Sequence, residues 1–212
     1  GMLQTHWKEA GGVAATVDLV RALPRDLPAA VFVALHLSSG SPGLLPGILS
    51  RVGALPAEMA CDGAEIRPGR ILVAPPDRHL SLEKGVVRLS GAPRVNRFRP
   101  SIDVLFRSAA DAYGPRVAAV ILSGLLDDGA LGLVSVKQNG GIAIVQDTIE
   151  AEFTSMPLSA LDRVPADHVL RTVDIATKLV ELATVPERAP RNGRGAKGAT
   201  MPRSRKAHCG NA

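Results

Sequence analysis

The sequence predicts an α/β domain: a doubly wound, mostly parallel sheet with helices on both faces and an antiparallel edge hairpin, three layers in all. Three observations predict it. Short runs rich in Val and Ile are apolar without alternation, as strands buried on both faces must be. Segments with helical spacing of apolar residues separate those runs, and strand–helix alternation calls for parallel pairing with crossover helices. A single stretch, residues 78–89, instead alternates around Lys84-Gly85 and reads as a hairpin.

Taken in order, residues 13–23 form the first helix, with Val13, Val17, Val20 and Leu23 near one face. Residues 30–37 (AVFVALHL) are the first clear strand, and residues 44–52 the second helix. Residues 70–74 (RILVA) are a strand that leads into the hairpin. Residues 101–113 are helical, with Ser101 placed to cap and Asp103 in the first turn. Residues 117–123 (VAAVILS) and 142–146 (IAIVQ) are strands flanking a helix at 130–138, which Asn139-Gly140-Gly141 stops. A last helix covers residues 173–183, and Pro186 ends it.

Charge divides the chain in two. The formal net charge is +5, yet residues from 186 onward carry seven basic side chains against the single Glu187, a net +6. The remainder holds 18 basic and 19 acidic residues, a net −1. Residues 1–185 are therefore expected to be the folded domain, with an atypical segment at 1–9. Residues 186–212 are expected to be a disordered basic tail. Without interleaved aromatics for base stacking, the tail argues against nucleic acid and for a solubilising extension. No apolar run reaches the roughly 18–20 residues that a membrane-spanning helix needs. No signal-peptide pattern opens the chain, and Gly1 before Met2 reads as a remnant of tag removal. Two unmatched cysteines, Cys61 and Cys209, make no disulfide framework and point to a reducing, cytoplasmic setting. No Cys or His cluster calls for a metal, and no motif calls for a cofactor.

In open α/β sheets, ligands bind beyond the carboxyl ends of the strands. Three segments put chemistry there. His36 ends the 30–37 strand, where a histidine can be a packed core residue or a general base. Asp127-Asp128-Gly129 follows the 117–123 strand, where an aspartate can cap the next helix or orient a histidine ring. Glu9-Ala10-Gly11-Gly12 opens the first helix, where exposed N–H groups can receive an oxyanion or simply form a turn.

Five blocks carry a resemblance over residues 10–185: AGGVAATVDLVRALPRDLPAAVFVALHL, CDGAEIRPGRILVAPPDRHL, NRFRPSIDVLFRSAA, VILSGLLDDGALGL, and GGIAIVQD with SMPLSAL. In this order and spacing they resemble the catalytic domain of chemotaxis protein-glutamate methylesterases, the CheB family. The resemblance implies hydrolysis of glutamyl methyl esters on chemoreceptor signalling helices, giving glutamate and methanol, by a serine, a histidine and an aspartate. It assigns the base to His36, the orienting carboxylate to Asp128, and oxyanion donation to the backbone of Ala10 and Leu125, with Gly11 and Gly12 shaping the turn. The family places serine where this chain has Glu9, a poor nucleophile toward esters whose charge opposes a developing oxyanion. Activity is therefore expected to be impaired, and a non-catalytic receptor-binding module of the same fold is the alternative. Ser38, Ser39 and Ser123 lie nearby, but none stands at a strand-to-helix turn backed by two glycines. Too few residues precede Ala10 for the receiver domain that such proteins often carry, so a separate receiver protein is the expected regulator. A phosphate-binding domain is a more distant reading, because neither GxGxxG nor GxxxxGK[ST] is present.

Overall fold

The computed structural model describes residues 11–36 and 43–184. The helices are α1 (Gly11–Arg21), α2 (Leu45–Val52), α3 (Ile102–Tyr113), α4 (Ala130–Gln138), α5 (Ser155–Arg163) and α6 (Thr172–Thr184). The strands are β1 (Val31–Val33), β2 (Ala57–Met59), β3 (Ile71–Val73), β4 (His79–Glu83), β5 (Val86–Ser90), β6 (Ala118–Ile121), β7 (Ile142–Gln146) and β8 (His168–Leu170). Among them no helix is long and apolar enough to cross a membrane.

Pairing is parallel in two three-stranded ladders, β1-β3-β2 and β6-β7-β8. The registers Val31↔Ile71 and Ala118↔Ile142 turn the odd-numbered backbone groups of β1 and β6 toward β3 and β7. Their other edges, at Phe32 and Val120, face a cavity of about 710 Å³ that both strands line. The mostly parallel, three-layer arrangement expected from the sequence is present, with helices on both faces of these ladders. The hairpin β4–β5 is antiparallel, as expected, but forms its own two-stranded sheet tied to Glu65 by an isolated bridge.

Both faces of the central strands β3 and β7 are buried. Ile71, Val73 and Ile144 pack with Val13 and Val20 of α1, Leu49 of α2 and Ile175 of α6. Leu72, Val145 and Ile121 turn to the opposite face, among Leu105 and Phe106 of α3, Leu133 of α4, Ala160 of α5 and the hairpin's Leu80 and Leu82. Continuous apolar character in the strands follows from this, since each residue has a hydrophobic partner layer. Every fully buried Leu or Ile contributes about 1.5–3 kcal/mol by leaving water. Cys61, half-buried after β2, is not a free thiol, and Cys209 lies outside the described residues.

The close approach of α3 and α4 depends on Gly132, whose added Cβ would lie 2.9 Å from the Asp103 Cα and 2.7 Å from the Phe106 Cβ. Backbone cannot yield cheaply, so Gly132→Ala is expected to cost about 2–3 kcal/mol in urea unfolding, against a gain in helix propensity of under about 1 kcal/mol.

Candidate active site

His36 stands three residues past the end of β1, and Asp128 lies in the connection from β6 to α4. Parallel strands bring these two carboxyl-terminal ends to the same edge, and His36 Nε2 lies 3.0 Å from Asp128 Oδ2. The separation is that of an ion pair, but the buried Nε2 lacks the alignment of a hydrogen bond. Closeness of charge, more than a linear bond, couples the two groups. Phe98 stacks on the imidazole with ring centroids 3.6 Å apart and planes inclined by 14°, which fixes the plane of the ring.

Asp128 is 1% exposed, and its position has a structural cause. Its Oδ1 accepts the Ser101 hydroxyl at 2.8 Å and the Asp103 N–H at 3.3 Å, while Oδ2 accepts the Ile102 N–H at 2.6 Å. These N–H groups are the first of α3, which have no partner inside the helix. Ser101 occupies the cap position, as the sequence predicts, but its side chain makes no cap bond and donates to Asp128 instead. Asp128 therefore does cap a helix, but α3 rather than the α4 it precedes in sequence. One carboxylate thus caps α3 and also lies beside His36.

Burial is the strongest influence on Asp128 and pushes its pKa up; contact with His36, then the Ile102 N–H and the Ser101 hydroxyl, outweigh it. The carboxyl ends below its ordinary range and is an anion at neutral pH. Asp103, on the next turn's path, moves the other way. Burial raises it first, Asp128's charge adds to the rise, and the Gly132 N–H opposes it.

A further shell holds these groups. His79 Nδ1 accepts the Ser101 N–H at 3.3 Å, and its Nε2 donates to the Pro93 carbonyl at 3.0 Å, an arrangement suited to one tautomer. Gln146 Oε1 accepts the Ser123 N–H at 2.7 Å, and Ser123 Oγ accepts the Phe153 N–H at 2.9 Å. Gly124 exchanges backbone bonds with Phe153 and Met156, which fastens the loop carrying Leu125 to the start of α5. Leu125 itself is exposed.

Gly12 marks where α1 meets the site. An added Cβ there would lie 3.0 Å from the Ser123 carbonyl and 3.4 Å from Leu35, between the ends of β6 and β1. Gly11 is the first residue of α1. Glu9 and Ala10, with Ser38 and Ser39, lie outside the described residues. Ser123 is buried with its hydroxyl accepting the Phe153 N–H, which removes it from consideration as a substitute nucleophile. Among the described residues, no group of three His, Cys, Asp or Glu side chains is placed to hold a metal ion.

Sequence reasoning nominated His36 and Asp128, which the structure brings together, but gave no sign of Phe98 stacked on the ring or of His79 holding the Ser101 backbone beside Asp128. Phe98 is one of only four phenylalanines. It stands in the NRFRPSID block, next to the helix that Asp128 caps, but spacing gives no hint of stacking on a residue so far upstream.

Comparison with known proteins shows the family to which the chain is similar. The family model described as CheB methylesterase matches residues 9–179. The chain is 41% identical over 172 residues to protein-glutamate methylesterase/protein-glutamine glutaminase 2 of Anaeromyxobacter dehalogenans, covering 81% of this chain but 50% of that protein. A putative protein of the same double designation from Leptospira interrogans is 38% identical over 174 residues, covering 82% of this chain and 90% of the relative. The crystal structure of the Thermotoga maritima CheB methylesterase catalytic domain superimposes with a TM-score of 0.76 at 34% identity, over 81% of this chain and 93% of that one.

Proposed function

Because the chain belongs to the CheB methylesterase family, we propose that it is built to hydrolyse glutamyl methyl esters on chemoreceptor signalling helices. The single observation that carries this reading is the 3.0 Å pairing of His36 with Asp128 at the carboxyl edge of the strands, within a family match of residues 9–179. In the proposed chemistry His36 takes a proton from the attacking hydroxyl, and Asp128 orients the ring and offsets the charge it gains. The ester carbonyl becomes a tetrahedral oxyanion, received by the backbone N–H groups of Ala10 and Leu125 beside Gly11-Gly12. Collapse expels methoxide, which leaves as methanol with the proton from His36.

Glu9 stands in the place of the nucleophile. Without a serine there, the remaining route is direct attack by water, with His36 as base, and turnover is slow. The relatives' names pair methylesterase with glutaminase, and both reactions transfer a neutral glutamyl acyl group to water. The substrate reading places the protein in the cytoplasm with the receptor helices, and it rests on the receptor alone. The proposed domain ends near residue 185, where the basic segment begins.

The test is methanol release from a methylated receptor fragment. Slow release that His36→Ala abolishes is expected; release unaffected by His36→Ala would sink the proposal. Glu9 also favours a second reading, a receptor-binding module without turnover, which predicts fragment binding with no methanol from either chain.

A further inference from the structure

We infer that Arg94 and Arg97, with Arg78 beside them, form a cationic rim next to the site that docks the acidic flank of a peptide substrate, so that carboxylates on either side of the reacting glutamyl group tighten its binding. The inference rests on the methylesterase reading and adds an interaction surface to it.

Four arginines gather around one carboxylate. Arg99 donates to Asp77 Oδ1 through Nε at 3.0 Å and Nη2 at 2.8 Å, and its Nη1 donates to the carbonyls of Gly91 and Ala92 at 2.8 Å each. Arg94 Nη2 stands 3.6 Å from the same Asp77 oxygen. Arg78 lies against Gly91, where an added Cβ would be 2.8 Å from its Nη1. The hydrogen bond from Arg99, with the charges of Arg99, Arg94 and Arg78, holds the Asp77 carboxyl below its ordinary range against the opposing effect of burial. One aspartate cannot neutralise four guanidiniums. Arg97 meets no carboxylate among the described residues, and the cluster keeps a net +3, four arginines less one aspartate. Residues 1–185 together carry −1, so this is a local concentration of charge in a nearly neutral domain.

The backbone shows which arginine is placed for display. Val95 and Phe98 exchange backbone hydrogen bonds at 3.1 and 2.9 Å. Between them Asn96 and Arg97 have φ of +50° and +70°, the two left-handed residues that a type I′ turn requires. Asparagine suits the first place, but glycine is the usual second, and an arginine there is held at a cost. Burial does not offset that cost, because Arg97 is exposed. The turn is also firmly held, since Asn96 donates to Asp103 Oδ2 at 2.5 Å and Arg99 is tied to Asp77. The next residue, Phe98, stacks on His36. A rigid turn thus presents a guanidinium one residue from the ring that backs the proposed base. Guanidinium matches carboxylate geometry, and Phe98, engaged with His36, is not available to stack on a base, so the rim fits an acidic peptide better than a nucleic acid.

The experiment uses the full chain and two receptor fragments that share one glutamyl methyl ester and carry either glutamates or glutamines one helical turn to each side, with binding followed by fluorescence anisotropy. The wild-type chain is expected to bind the acidic fragment roughly fivefold or more tightly at low salt, the worth of two exposed ion pairs, and the advantage should fade as salt screens it. Basic residues 186–212 attract the acidic fragment in every variant alike, so the decisive comparison is between chains. Arg94→Gln combined with Arg97→Asn is expected to cut the acidic advantage by about threefold or more. Its melting temperature should not fall, because asparagine tolerates the left-handed backbone. An acidic advantage unchanged in that variant, or a wild-type chain that binds both fragments equally, overturns the inference while leaving the methylesterase reading in place. Equal loss of both fragments at an unchanged melting temperature means that the turn acts through Phe98 and not through charge, and overturns it too. Failure of both fragments to bind the wild-type chain overturns the parent reading and the inference with it.

Discussion

Asp128→Ala is expected to lower folding stability by about 3 kcal/mol and to abolish methanol release together with it. Truncation leaves the Ser101 hydroxyl and the first two N–H groups of α3 without their acceptor, and all belong to residues at most 8% exposed. Each orphaned buried donor costs about 1–3 kcal/mol, less what relaxation or an admitted water recovers. A loss of that size lowers the melting temperature by about 6–12 °C for a domain of this length. Asp128→Asn should cost about half as much. Its amide can keep an oxygen toward Ile102 and His36 and turn its NH₂ to the Ser101 hydroxyl, which then accepts, so only the longer Asp103 bond is forfeited. The two variants therefore separate the cap from the charge: stability follows the acceptors, and activity follows the anion beside His36.

Acidity offers a second view of the same group. The folded pKa of Asp128 lies below its ordinary value, so the stabilisation it provides is complete above about pH 4 and is lost as pH falls through the lower folded value. Asp103 has the opposite sign. Its pKa is raised, so its ionisation costs stability, a cost absent below its ordinary pKa and complete above the raised one. Urea midpoints across acidic pH should show the difference between wild type and Asp128→Asn shrinking only at the acid end.

The elements legible in sequence were those whose periodicity reports burial on both sides. β7 (Ile142–Gln146) and α4 (Ala130–Gln138) fall where predicted, and β1 and β3 lie within their predicted runs. What escaped was at the margins. β2 has only three residues with the exposed Glu58 at its centre, and β8 exposes Val169, so neither shows a continuous apolar run. In α5, Pro157 discourages a helical reading, though a proline in the first turn removes no intrahelical bond. His36 and Asp128 could be nominated because strand ends are predictable and parallel strands align their ends. Their partners could not. The donors that hold Asp128 come from the start of α3, 25 to 27 residues upstream, and only tertiary structure juxtaposes them.

Glu9→Ser is expected to produce the largest single change of all, a rise in methanol release of about 10³-fold or more. The scale comes from serine hydrolases in which loss of the nucleophile costs on the order of 10⁶ in kcat, discounted here because residues 2–8 (MLQTHWK) hold no Val or Ile where a buried strand is normally rich in them. A serine at that position supplies a hydroxyl whose proton His36 can take, with Asp128 already anchored to receive the imidazolium charge. Glu9→Ala removes the opposing charge without supplying a hydroxyl, and it should gain little. Adding His36→Ala to Glu9→Ser should return the rate to the starting level, because the new hydroxyl then has no base. If Glu9→Ser folds and binds the methylated fragment yet releases no methanol, restoring a nucleophile is not enough to make this geometry an esterase. Asp128 then has a role other than ester hydrolysis, and the cap that it places on α3 is the one already visible.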